Sequence, residues 1–228
     1  MNSRVFSSIV FVLVLTMSHT ALGKSDGPKT APQVPDGWIV VEEEIWLAFP
    51  DEPGAQFHQA HENFLKRDYK AAAANMRKAV GFMKLETARA AGDAKKALTA
   101  SIHKLEKLAD DVEKGTVSSA RKLSEAFSRA HEALAIQHHA KASEAWAKKQ
   151  STKVGRALKA AAMHLESAAA WSGQKLEAGD HASLQLARSV GKKITEGASW
   201  TAEEAGKAIE GLGRGLKALG ERIEPLAE

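Results

Sequence analysis

The amino-acid sequence predicts an all-α protein, an antiparallel helical bundle or short helical repeat built from two tandem pseudo-equivalent units. Three observations predict it. The 228-residue chain is rich in Ala, Lys, Glu and Leu, with six prolines and 6% aromatics, a composition that favours helix. Apolar residues recur four and three apart, as in Leu98, Ile102, Leu105, Ala109 and Val112. And the chain matches itself in residue kind when shifted by 82 positions.

The elements follow in order. Arg4, the apolar run from Val5 through Phe11 and Leu15 to Met17, and the small residues of Ala21-Leu22-Gly23 form a secretory signal peptide over 1–23, with cleavage expected between Gly23 and Lys24. The run is short and poorly flanked for a membrane span, and an uncleaved N-terminal anchor is the alternative. A periplasmic or secreted location is expected. The chain contains no Cys, which excludes lipoprotein attachment, disulfides, haem c attachment and thiolate metal sites. An exported chain without disulfides must stand on its own core. The net charge is +4, but acids and bases alternate along the sequence, the pattern of solvated helix surfaces. With export, that argues against a nucleic-acid partner.

Residues 24–50 form a flexible leader and an apolar arm. Pro28, Pro32 and Pro35 mark the leader. Trp38 to Phe49 is apolar and β-branched, broken by Glu42-Glu43-Glu44, and cannot make a sheet alone. It is expected to form an extended arm or a short helix that packs Trp38, Trp46 and Phe49 onto the helical body. Pro50 and Pro53 then bracket a helix start near Asp51.

Seven helices are predicted, over 52–67, 69–91 with Asp68 as its cap, 93–113 ending at Gly115, 117–150, 151–171 ending at Gly173, 175–196 and 200–223. The 82-residue shift pairs Ala60 with Ala142, Phe64 with Trp146, Ser101-Ile102 with Ser183-Leu184, Val112 with Ile194, Gly115 with Gly197, Phe127 with Ile209 and Leu134 with Leu216. Between these blocks the register slips by two. Helical unit copy one is therefore 51–134 and copy two 135–223, with a tail at 224–228. The long fourth helix closes the first copy and opens the second. Ala72, Ala79, Ala157, Ala161, Ala168 and Ala169 add no bulk, so close antiparallel packing is expected.

Phe64-Leu65-Lys66-Arg67-Asp68-Tyr69-Lys70-Ala71-Ala72, followed by Ala79, resembles a tetratricopeptide helix hairpin, in which a Gly-Asp-Tyr turn separates two helices. Arg67 stands where that family has Gly, and the second copy reads Lys149-Gln150-Ser151-Thr152. The resemblance covers roughly 30 residues, and the internal repeat is longer than that family's 34. It implies helix-hairpin architecture and a partner-binding groove.

Histidine is the chemical handle in this sequence. His58 and His61 share one helix face and could share a metal ion, although His61 also lies between Phe57 and Phe64 on the apolar stripe. Phe127, His131, Leu134 and His138 lie within about 60° on the fourth helix, facing the core side. His131 and His138 are two turns apart, about 10.5 Å, too far for metal–nitrogen bonds of about 2 Å to meet at one ion. A site would need His58 and His61 brought against His138 or His139. Copper, nickel or zinc would be its ion. His164 falls on the side of Trp171 and is expected to stack there. No di-iron or His-Glu-x-x-His signature occurs, and no nucleophile elbow or phosphate loop.

The seventh helix carries a clean stripe of Ala205, Ile209, Leu212, Leu216, Leu219 and Ile223, with Arg214 and Lys217 beside it. Leu212, Leu216, Leu219, Arg214 and Lys217 could present a partner or lipid surface. The stripe also repeats that of the fourth helix, Leu123, Phe127, Ala130 and Leu134, which would turn it into the second copy's core. The sequence thus points to an exported, non-catalytic helical binding or scaffold protein with a protein partner in the cell envelope. A periplasmic histidine-based transition-metal binder and an envelope-lipid-associated helical protein are the alternatives.

Overall fold

The computed structural model describes residues 51–223; the segments expected to be a signal peptide (1–23), a leader and arm (24–50) and a tail (224–228) lie outside them. The described residues fold into seven α-helices with no strand. These are α1 (Glu52–Leu65), α2 (Tyr69–Ala88), α3 (Gly92–Glu113), α4 (Ala120–Ala147), α5 (Ser151–Ser172), α6 (Ala178–Glu196) and α7 (Ala202–Arg222). Sequential helices pack as antiparallel neighbours, and α4 also meets α1 and α7.

Local chemistry sets the boundaries. Pro53 sits in the first turn of α1, where a missing N–H costs nothing. The Asp68 carboxylate accepts from the Ala71 N–H at 3.1 Å and starts α2. The fourth helix is shorter at both ends than its sequence pattern predicts. Ser119 caps it, its hydroxyl accepting from the Arg121 N–H at 3.2 Å, so Val117 joins the core from a loop instead. Its C-terminus closes where Lys149 turns left-handed, at φ 57°. The sixth helix starts later than predicted because Glu177 and Asp180 form a capping box. Thr201 and Glu204 do the same for α7.

Two apolar cores follow one another along the chain. The first gathers Phe57, Met76, Met83, Leu98, Leu105, Phe127 and their neighbours up to Leu134. The second begins at Ala135 and gathers Leu158, Leu165, Val190, Leu212, Leu219 and their neighbours. One uninterrupted helix, α4, serves both. Positions 82 residues apart play matching parts. Arg67 and Lys149 are the two non-glycine residues at positive φ among those described, at 62° and 57°. Gly115 and Gly197 turn left-handed at 69° and 72°. The Ser101 hydroxyl donates to the Arg129 carbonyl at 3.3 Å, and a Cβ on Gly211 would lie 2.8 Å from the Ser183 hydroxyl.

The Ala-rich crossings are tight. Ala72, Ala79, Ala157, Ala161, Ala168 and Ala169 are all buried. Where α5 meets α6 even alanine is too large: a Cβ on Gly191 would lie 2.7 Å from the Gly155 carbonyl oxygen, and one on Gly155 2.8 Å from Ile194. No helix among the described residues is long and apolar enough to cross a membrane.

Candidate functional site

Three histidines converge where the first core gives way to the second. The route to this site is the α4–α5 hairpin. Folding the two helices back at Lys148–Gln150 brings Ser128 opposite Ala168, whose carbonyl accepts from the serine hydroxyl at 2.7 Å. Three residues further along α4, Nδ1 of His131 lies 3.0 Å from Nδ1 of His164. The next step along the same stripe is His138, whose ring stacks on His164 with centroids 5.4 Å apart and planes 17° apart. All three rings are buried, at 1%, 3% and 0% exposure for His131, His138 and His164.

The contact between His131 and His164 fixes the tautomers. One Nδ1 carries the proton and donates; the other accepts, so its own proton sits on Nε2. His131 Nε2 and His138 Nδ1 have no hydrogen-bond partner among the described residues. Burial depresses both bases: His131 falls to about 3, helped by the nearby His58, and His138 to about 4. For His138 the Glu86 carboxylate pulls the other way and Lys141 adds to the drop. Glu86 and Lys141 form an ion pair at 2.8 Å beside it, with side chains 4% and 14% exposed. His131 and His138 are thus neutral members of a buried imidazole cluster with a buried ion pair at one end. The first turn of α1 covers its other end: a Cβ on Gly54 would lie 3.2 Å from Cε1 of His131. Phe57 meets the same ring edge-on, at 5.3 Å.

The histidines expected to share an ion are dispersed. His58 and His61 both pack on Trp171, at 4.9 and 5.3 Å between ring centroids. Burial, and then the neighbouring His58, lowers the basicity of His61. His139 points the other way from His138, as their 100° offset requires, and its Nε2 donates to the Ile209 carbonyl at 2.9 Å. Only His138 of the four belongs to the cluster. Among the described residues no group of three or more His, Cys, Asp or Glu side chains is placed to hold a metal ion. Trp171 packs against Phe127 at 5.2 Å, together with His58 and His61. His131 and His164 were the pair to find. Pairing α4 and α5 about the Lys148–Gln150 turn, at equal rise per residue, would have set residue 164 within a turn of residue 131.

On α7, Leu212, Leu216 and Leu219 are turned into the second core, at 0%, 8% and 0% exposure, so they form no partner or lipid surface. Arg214 and Lys217 remain exposed on the opposite side.

A shallow groove runs between α3 and α4. Ala97, Ala100, Ser101 and Lys104 line one wall; Arg129, Glu132, Ala133 and Ile136 line the other. Ala133 belongs to the first core and Ile136 packs against the second, so the groove straddles the join. Sequence reasoning missed this groove because it depends on which faces of two helices stay uncovered.

No protein-family model, no curated protein and no solved structure matches this chain. The molecule is defined by its own architecture: an all-helical protein of two successive cores threaded by one long helix.

Proposed function

We propose that this is an exported, non-catalytic scaffold that binds a protein partner of the cell envelope through the α3–α4 groove. The observation that carries the reading is the groove's position across the join of the two cores. Small residues on both walls leave room for an incoming helix, and Lys104, Arg129 and Glu132 supply charge at its rim. The sealed histidines favour a binding role over a catalytic one, because acid–base work needs groups that reach a substrate. A photo-crosslinker at Ala100, introduced in cells, tests it. One dominant protein adduct is expected there and none from exposed Ala182 on α6. The same adducts from both positions, or none from Ala100, would remove the reading.

A second reading rests on the 3.0 Å contact of His131 and His164. Two metal–nitrogen bonds of about 2 Å set their nitrogens roughly 3 Å apart or slightly more. A copper, nickel or zinc ion would therefore take these two Nδ1 atoms rather than the pairs on α1 and at His138–His139. Titration calorimetry with each metal decides it. Binding that survives His164→Gln belongs elsewhere on the chain.

A further inference from the structure

We infer that the His131–His164 pair selects a soft monovalent ion, copper(I), over zinc, nickel and copper(II). This selectivity rests on the metal reading of the same pair and names its ion. The first ground is the donor set. Nδ1 of His131 and Nδ1 of His164 stand 3.0 Å apart and share one proton. When that proton moves to Nε2 of the ring that carries it, both Nδ1 lone pairs face one point and no proton leaves the protein. Among the described residues no third His, Cys, Asp or Glu is placed to join them. The carboxylate beside His138, that of Glu86, is tied to Lys141 at 2.8 Å. Two nitrogens leave zinc short of its tetrahedron, and copper(II) and nickel short of a square or an octahedron. Copper(I) is satisfied by two donors on opposite sides. Bonds of about 2 Å then set the nitrogens about 4 Å apart, so each ring withdraws by roughly 0.5 Å.

The second ground is charge. Imidazole brings no negative charge to an ion, and His131, His138 and His164 are 1%, 3% and 0% exposed. The cost of burying an ion grows with the square of its charge, so a dication costs roughly four times as much as a monocation there. The third ground is closure. The His138 ring lies over that of His164 with 17° between their planes. The first turn of α1 stands against His131 through Gly54, and Phe57 meets the same ring edge-on. Rings covered this deeply give bulk water no path to the positions that zinc or nickel would leave open.

Calorimetry on the untagged protein in chloride-free buffer tests the selectivity. The probes are silver(I) nitrate as the air-stable analogue, copper(I) under ascorbate, and zinc(II), nickel(II) and copper(II) without reductant. One silver(I) or copper(I) ion should bind about a hundredfold more tightly than any of the dications. His131→Gln and His164→Gln should each weaken that binding about a hundredfold, with helix content by circular dichroism unchanged. X-ray absorption of the copper(I)-loaded parent needs no variant to fold, and should show two nitrogen neighbours at about 2 Å and no sulfur. Sulfur neighbours would place the ion on methionines and overturn the assignment. Zinc or nickel bound as tightly as copper(I), and released by His164→Gln, would keep the pair as a metal site and overturn its monovalent selectivity. Should no ion bind in a way that depends on His164, the selectivity and the metal reading fall together.

Discussion

Helix α1 crosses the first half of α4 through Phe57, which stacks on Phe127 and meets His131 edge-on. The same crossing recurs 82 residues later, where the second half of α4 meets α7, with different groups. There His139 stands for Phe57 and donates to the Ile209 backbone, and Gly213 stands for His131; a Cβ on it would lie 3.2 Å from Nε2 of His139. The two halves share a layout and differ in how they fill it. The first uses Phe57, Met76, Met83 and Phe127, and sets two alanines, Ala73 and Ala109, at positions where the second has Gly155 and Gly191. The second draws its helices into backbone contact. Helix order and turn geometry thus tolerate a change from bulky to near-bare crossings, provided that each interface is filled. The comparison also explains why the imidazole cluster occurs once: the repeat places Gly213 and Gly220 where the first copy has His131 and His138.

The comparison breaks most visibly at its aromatic end. Phe127→Ala should cost about 3–5 kcal/mol in urea unfolding, because it leaves a void in a core of large side chains. Ile209→Ala, at the matching position, is half-buried and should cost less than half as much. Equal losses would mean that the two halves are packed alike.

Acid should weaken the join next. His131 and His138 have bases depressed to about 3 and about 4, from an ordinary 6.5. The unfolded chain then binds protons below pH 6.5 that the folded chain refuses. Stability is complete above that pH and is lost as the pH falls toward 4. Between pH 7 and 5 each histidine should remove about 2 kcal/mol. Thermal melts across that range check it, and His138→Gln should flatten the slope by about half. A melting temperature constant from pH 7 to 5 would contradict the buried neutral cluster.

Gly191→Ala should cost about 1–3 kcal/mol through overpacking against the Gly155 backbone. The reverse exchange in the first half, Ala109→Gly, should cost about 1 kcal/mol from helix propensity alone. If Gly191→Ala instead stabilises, the α5–α6 crossing is looser than described. The smallest effect belongs to the turns. Arg67→Gly and Lys149→Gly should each raise stability by a few tenths of a kcal/mol, since both residues sit at positive φ. Matching gains in denaturant melts would show that the two turns are energetically equivalent; opposite signs would separate them.

Much of the fold was legible in the residues. The 3.6-residue stripes, the Asp68 cap and the glycines at 115, 173 and 197 mark helices and their ends through local chemistry that needs no tertiary partner. Where boundaries moved, at α4 and α6, a second local device won: the Ser119 cap and the Glu177–Asp180 box. The candidate site was much less legible. Spacing along α4 correctly separated His131 from His138, but it could not supply the third ring. His58 and His61 miss the cluster because both pack on Trp171, and His139, turned about 100° from His138, reaches the Ile209 carbonyl instead.

The amino-acid sequence by itself determined that this chain is helical, where most helices start and stop, and that one pattern occurs twice, because propensity, capping and periodicity act within a few residues. Only the tertiary structure decided which histidines meet, which leucines are hidden and which grooves stay open. Those outcomes depend on how far two helices approach and how they rotate about their axes, and a single glycine or a bulky ring at a crossing sets both.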